Sequence, residues 1–171
     1  MNVKAQSKKE KLISDLINVR KLIVEAATCL SPEERDQVFL GVWSVRDLLA
    51  HLIGWDYTNL EATKDILAGK LPEFYSQYDR DWKSYNESLI TKYKKENFVE
   101  LLISLQDSHQ KLIDYLNTIP AEDLDRDMGV RYQRHKITIN SLLRVEIKDE
   151  KIHHQQIRAF SQESRNTCLL Y

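Results

Sequence analysis

Two histidines and three carboxylates carry most of the chemistry that this sequence offers. His51 lies in residues 43–56, which read W-S-V-R-D-L-L-A-H-L-I-G-W-D. At about 100° per residue on a helical wheel, Leu48, Leu52, Trp55 and Asn59 form a narrow stripe, and His51 falls on its edge beside Trp55. A titratable, metal-competent ring is therefore aimed at the packed interior or just beside it. A second apolar stripe, near the end of the chain, consists of Ile139, Leu142, Leu143, Ile157 and Phe160. Glu146, Glu150 and His153 interrupt it, and Asp149 lies just off its edge. Asp149 and His153 stand one helical turn apart, as do Glu146 and Glu150. His51, Asp149 and His153 make a two-histidine, one-carboxylate set, which suits a divalent transition metal with open coordination positions.

Buried carboxylates need a cation, a hydrogen-bond network or water, and that requirement admits two readings. In one, the groups line a functional pocket, with or without metal, as the interiors of helix bundles often do. In the other, they form a buried structural network in which Arg46 or Arg20 pairs with the carboxylates. A lone histidine at an apolar face is more often a hydrogen-bonded core residue than a ligand. His154 points to the side of its stripe and His109 sits among polar neighbours, so both read as solvated. His135 falls in a loop.

Helices must position these groups. A helical period of Leu12, Leu16, Val19, Ile23 and Ala26 predicts a first long helix near 7–29. Ser31-Pro32-Glu33-Glu34 then caps a short helical turn. Ser44 and Asp47 stand in capping-box spacing and open a second long helix near 44–68, which Gly69 stops. Residues 70–92 read as a long aromatic connection with one helical segment around 81–92, either lining a site or lying over the bundle. A third helix near 96–119, closed by Pro120, and a fourth near 138–162, with Thr138 as its cap, complete the set. No strand alternation appears, so the expectation is an all-α four-helix bundle with a long crossover between its second and third helices. It forms one domain over 1–171, with a core of about 7–162 and a loose C-terminal tail.

Composition narrows the function classes. The chain has 171 residues, 30% charged and 42% hydrophobic, with four Gly and three Pro, too few for a turn-rich β-sandwich. A net charge of −1 offers no basic field, so nucleic acid is not expected as a partner. Cys29 and Cys168 match no CxxC metal or redox spacing. The last four residues, C-L-L-Y, are a poor prenylation box. Without a signal peptide or an apolar run near 18 residues, the chain reads as cytoplasmic with no membrane partner.

The stretch W-S-V-R-D-L-L-A-H-L-I-G-W-D at 43–56 resembles the second-helix signature of the DinB-like superfamily, and D-E-K-I-H-H-Q-Q-I-R at 149–158 resembles its final helix. W-x-x-Y-N-E-S-L-I-T-K-Y-K at 82–94 and L-x-x-S-H-x-x-L-I at 105–113 are similar to the ClbS/DfsB branch. The resemblance implies an antiparallel bundle, often a homodimer. It also implies a divalent metal held by one histidine of the second helix and an H-x-x-x-H pair of the last. His51 and His153 match the first and last of these positions, while Asp149 stands at the middle one. Carboxylate there is compatible with zinc, nickel or manganese. In the ClbS/DfsB branch the triad is commonly incomplete, and some members act without metal. The branch includes a protein that opens the cyclopropane of a reactive genotoxin, which implies detoxification or resistance.

The leading expectation is a hydrolase or transferase acting on a small electrophilic compound. His51 serves as metal ligand or general base, Asp149 and His153 are its partners, and Glu150 positions water. Trp43, Trp55, Tyr57 and Trp82 supply aromatic walls for the substrate. The rival expectations are a non-catalytic protein that sequesters a small compound and a structural dimer without metal.

Overall fold

The computed structural model describes residues 3–168, with the backbone alone described for 78–80 and 163–168. Helix α1 spans Val3–Thr28, the short α2 Pro32–Asp36, α3 Val45–Leu67, α4 Phe74–Tyr93, α5 Phe98–Thr118 and α6 Ile139–Cys168. The four long helices of the sequence reading are α1, α3, α5 and α6. The loose tail expected beyond 162 is still helical to Cys168, and 169–171 lie outside the described residues.

The helix starts follow from local chemistry. Ser31 with Glu34 and Ser44 with Asp47 form reciprocal capping boxes that occupy otherwise orphaned N–H groups. Asn97 accepts from the N–H groups of Val99 and Glu100 at the start of α5. At the start of α6, Ser141 N donates to Thr138 Oγ1 at 3.1 Å, and Thr138 N donates to Ser141 Oγ at 2.9 Å. Helix α3 ends at Gly69, whose φ of 71° few other residues adopt without strain.

Two expectations need correction. The 70–92 connection is mostly helix: α4 fills it and kinks at Asp81, whose backbone is extended (φ −161°, ψ 84°). Two short antiparallel hairpins also occur. Strand β1 (Val38–Leu40) pairs with β2 (Trp43–Ser44), and β3 (Arg131–Tyr132) with β4 (His135–Lys136). Each is too short to show period-two alternation in sequence.

The core is divided in two. One apolar cluster takes Leu12 and Leu16 of α1, Ala62 and Ile66 of α3, Leu112 and Leu116 of α5, and Ile139 and Leu143 of α6. The other takes Ile23 and Ala27, Leu48 and Leu52, Leu101 and Leu105, and Ile157 of the same four helices. Thus α1 and α6 run one way and α3 and α5 the other, and α4 carries the chain back between α3 and α5. Between the clusters lies a buried polar belt of Arg20, Asp56, Asn59, Ser108, His109, Glu146 and Glu150. Among the described residues no helix is long and apolar enough to cross a membrane.

Candidate functional site

His51 is 4% exposed, almost two turns into α3, and three aromatic rings surround it. Trp43 lies at 4.9 Å between ring centroids, Trp55 at 6.2 Å and His153 at 5.5 Å, the last nearly perpendicular at 84°. Its Nδ1 is buried without a hydrogen-bond partner, an arrangement that normally costs stability unless a ligand uses the atom. Burial, helped by the neighbouring His153 charge and opposed by Asp149, pushes the His51 imidazole down to about 3. It is a neutral base through the physiological range.

His153 is tuned the opposite way. Its Nε2 lies 3.2 Å from Asp149 Oδ2 and its Nδ1 2.8 Å from Gln156 Oε1. Burial is the largest single influence and favours the neutral ring. The Asp149 hydrogen bond and charge, with Gln156 and Glu150 adding to them, outweigh it and hold the imidazole above its usual range. For the Asp149 carboxyl, burial acts upward, but the His153 hydrogen bond and charge, with a lesser contribution from His51, hold it below its usual range. One ring nitrogen from each histidine and one Asp149 oxygen lie within 4.8 Å of one another. Two imidazoles and a carboxylate, one of the imidazoles (His51) with a nitrogen that has no protein partner, fit a divalent metal in chemistry and in proximity.

These groups open into a cavity of about 1190 Å³ between α3, α4, α6 and the two hairpins. Trp43, Trp55 and Trp82 line it, and Phe74, Tyr75 and Tyr132 extend the aromatic wall. Tyr75 stacks toward Tyr132 at 4.5 Å, and Trp55 Nε1 donates to Asn86 Oδ1 at 3.1 Å. Glu146 also borders the cavity, with Oε2 accepting from Asn59 Nδ2 at 2.9 Å. Burial and the charges of Glu150 and Asp56 push its carboxyl up to about 8, against the pull of Asn59 and Arg20.

Other expected site residues lie elsewhere. Tyr57 is outside the cavity lining and stacks on Tyr93 at 5.3 Å. Glu150, expected to position water, is fully buried, and both of its oxygens accept from Arg20, at 3.1 and 2.6 Å. The same guanidinium donates to both oxygens of Asp56, at 2.7 and 3.0 Å, and Ser108 Oγ donates to Asp56 at 2.6 Å. His109 is buried rather than solvated, with Nδ1 3.4 Å from Asp56. Asp56, His109 and Glu150 also cluster within metal-ligand reach, but Arg20 already supplies their cation. The pocket and the buried network of the sequence reading are therefore both present, side by side. Arg46 pairs instead with Asp36 and the Glu96 carbonyl.

Sequence reasoning missed Asp56 and the cavity-facing position of Glu146. Asp56 lies inside the quoted motif, and Arg20 follows Leu16 by one turn on the buried side of α1, so a signal was present for both.

A family model described as the DinB superfamily matches residues 15–157. The structure is similar to that of the colibactin self-resistance protein ClbS in complex with a dsDNA, with a TM-score of 0.72 and 18% identity, over 90% of this chain and 94% of that one. An uncharacterised protein from Escherichia coli UTI89 is similar with a TM-score of 0.71 and 16% identity, over 92% and 94%. No curated protein matches by sequence. The exclusion of nucleic acid drawn from composition is corrected: a protein of this fold has been solved on a duplex. Net charge averages over the whole surface, whereas exposed Lys83, Lys136 and Lys148 each border the cavity, as do exposed Glu87 and Asp149.

Proposed function

We propose, on the premise that this chain belongs to the DinB superfamily, that it is a small-molecule pocket protein of the detoxification or resistance type. In this reading it is a hydrolase or transferase that takes a small electrophile into the cavity beside His51. The observation that carries the reading is the buried, unpartnered nitrogen of His51 in the same small volume as His153 and Asp149. His51, uncharged, is a base or a ligand. Gln156 holds the His153 ring at Nδ1, and Nε2 faces Asp149. The tryptophan walls hold the flat parts of a substrate.

Zinc, nickel or manganese would be held by His51, Asp149 and His153, and would supply a Lewis acid that polarises the electrophile. Metal analysis of the purified protein, with thermal melts in each added ion, tests the reading. The expected result is bound metal and a rise in melting temperature that His51→Ala and His153→Ala both lose. Protein free of metal, with no rise in any ion, would remove the metal-dependent enzyme and leave a binder that sequesters its ligand.

A second reading has its own support in the exposed lysines at the cavity border and in the duplex carried by ClbS. Phosphates paired with Lys83, Lys136 and Lys148 would release counter-ions, so affinity for a DNA duplex should fall steeply with salt. Gel retardation of wild type and of the three Lys→Glu changes combined decides it. Retention lost in the variant supports the reading, and retention unchanged removes it.

A further inference from the structure

Among the described residues the buried carboxyl groups are Asp56, Glu146 and Glu150, and they share one cation. Arg20 gives its hydrogen bonds to Asp56 and Glu150. Ser108 and His109 add to Asp56. Glu146 receives only the Asn59 amide, on Oε2. If ionised, it would be a third buried negative charge beside two others that already have a single guanidinium between them. Unpaired charge of that kind is resolved by neutralisation, and the upward push on its titration agrees. As a neutral acid it has one O–H to give. Asn59 occupies Oε2, so the O–H is left at Oε1, on a side chain that borders the cavity.

We propose that Glu146 sets the ligand class of the cavity: it donates its O–H to a neutral acceptor oxygen, the carbonyl of an amide, lactam or ester, seated among the aromatic walls. The inference rests on the pocket reading above and names its substrate class. The rest of the interior agrees with an uncharged ligand. The walls are Trp43, Trp55, Phe74, Tyr75 and Trp82. A ligand carboxylate brought to Glu146 would add a further carboxylate beside Asp56 and Glu150, which already share one guanidinium, whereas a carbonyl would not.

The three tryptophans of the chain all border the cavity, so intrinsic fluorescence reports on it directly. The test titrates 2-naphthamide and 2-naphthoate into wild type, Glu146→Gln and Glu146→Leu, and follows tryptophan quenching. Wild type should bind the amide about tenfold more tightly than the carboxylate, the scale of one well-placed hydrogen bond. Glu146→Gln, which keeps a neutral donor and an acceptor for Asn59, should stay within about threefold of wild type for the amide. Glu146→Leu should lose about tenfold for the amide with no loss for the carboxylate. Equal or reversed preference in wild type, or unchanged amide affinity in Glu146→Leu, overturns the inference while the pocket reading stands. If Glu146→Leu does not fold, wild type and Glu146→Gln decide alone, and a Gln variant that loses the amide preference overturns it. Quenching by neither probe removes the pocket reading and this inference together.

Discussion

Burial moves Glu146 and His51 in opposite senses on the pH scale, and each leaves a mark on stability. The Glu146 carboxyl keeps its proton in the folded state up to about 8, whereas the unfolded chain releases it near the ordinary value of 4.5. Between those points the folded state binds more protons, so stability falls as pH rises through the window. His51 behaves the other way. Unfolded, it takes a proton near 6.5, and folded it refuses one down to about 3, so stability falls as pH drops through that window. Glu146→Gln should therefore flatten the alkaline side: its loss of melting temperature between about pH 6 and about pH 9 should be clearly smaller than that of wild type. Arg20 is the other decisive residue. Arg20→Met strands Asp56 and Glu150 as buried charges and should cost about 3–5 kcal/mol in a urea melt. Adding Asp56→Asn and Glu150→Gln should recover part of that loss. The stripes made His51, Glu146, Glu150 and His153 legible as interior polar groups, because a 3.6-residue period fixes which side of a helix a residue occupies. Partnership was not legible. Arg20 meets Glu150 across 130 positions of sequence and Asp56 across 36, and a wheel drawn on one helix says nothing about what faces it.

Helix α4 shows where element-level reading runs out. It lacks a side-chain cap at Glu73 and is interrupted at Asp81. There the carboxylate restarts the helix by accepting from Ser84 N at 3.1 Å and Ser84 Oγ at 2.6 Å. Its wall residues, Phe74, Tyr75 and Trp82, face a cavity rather than a packed core, so no clean apolar stripe marks it as a helix. The capping boxes at Ser31 and Ser44 were legible because their chemistry is local. The docking of α4 depends on Gly54, a glycine in the middle of α3. A Cβ there would stand 2.6 Å from the Leu89 Cβ, an atom fixed to the α4 backbone. Gly54→Ala gains about 1 kcal/mol in helix propensity, but it forces the two helices apart. The expected net result is destabilisation of about 1–3 kcal/mol by thermal melting, with a changed near-ultraviolet tryptophan signal from Trp55.

Across the whole molecule, the four-helix architecture and the crossover followed from apolar periodicity and from the length of the 70–92 connection. The wrong inference about nucleic acid came from the same scale, since one net charge describes a surface that is not uniform. The polar belt between the two apolar clusters has a further effect on the fold. Leucine stripes repeat turn after turn, so the clusters alone would accept a helix shifted by one turn, about 5.4 Å along its axis. The belt does not accept that shift. A slip of α1 would carry Arg20 away from Asp56 and Glu150 and lay it against leucines of one cluster or the other, leaving three charges buried and unpaired. The belt thus works as a register pin, as a single polar residue does in a coiled coil. Replacing Arg20, Asp56 and Glu150 together by apolar residues of similar volume should then raise the melting temperature. It should also break one sharp set of amide resonances into several, as the bundle samples more than one alignment of its helices.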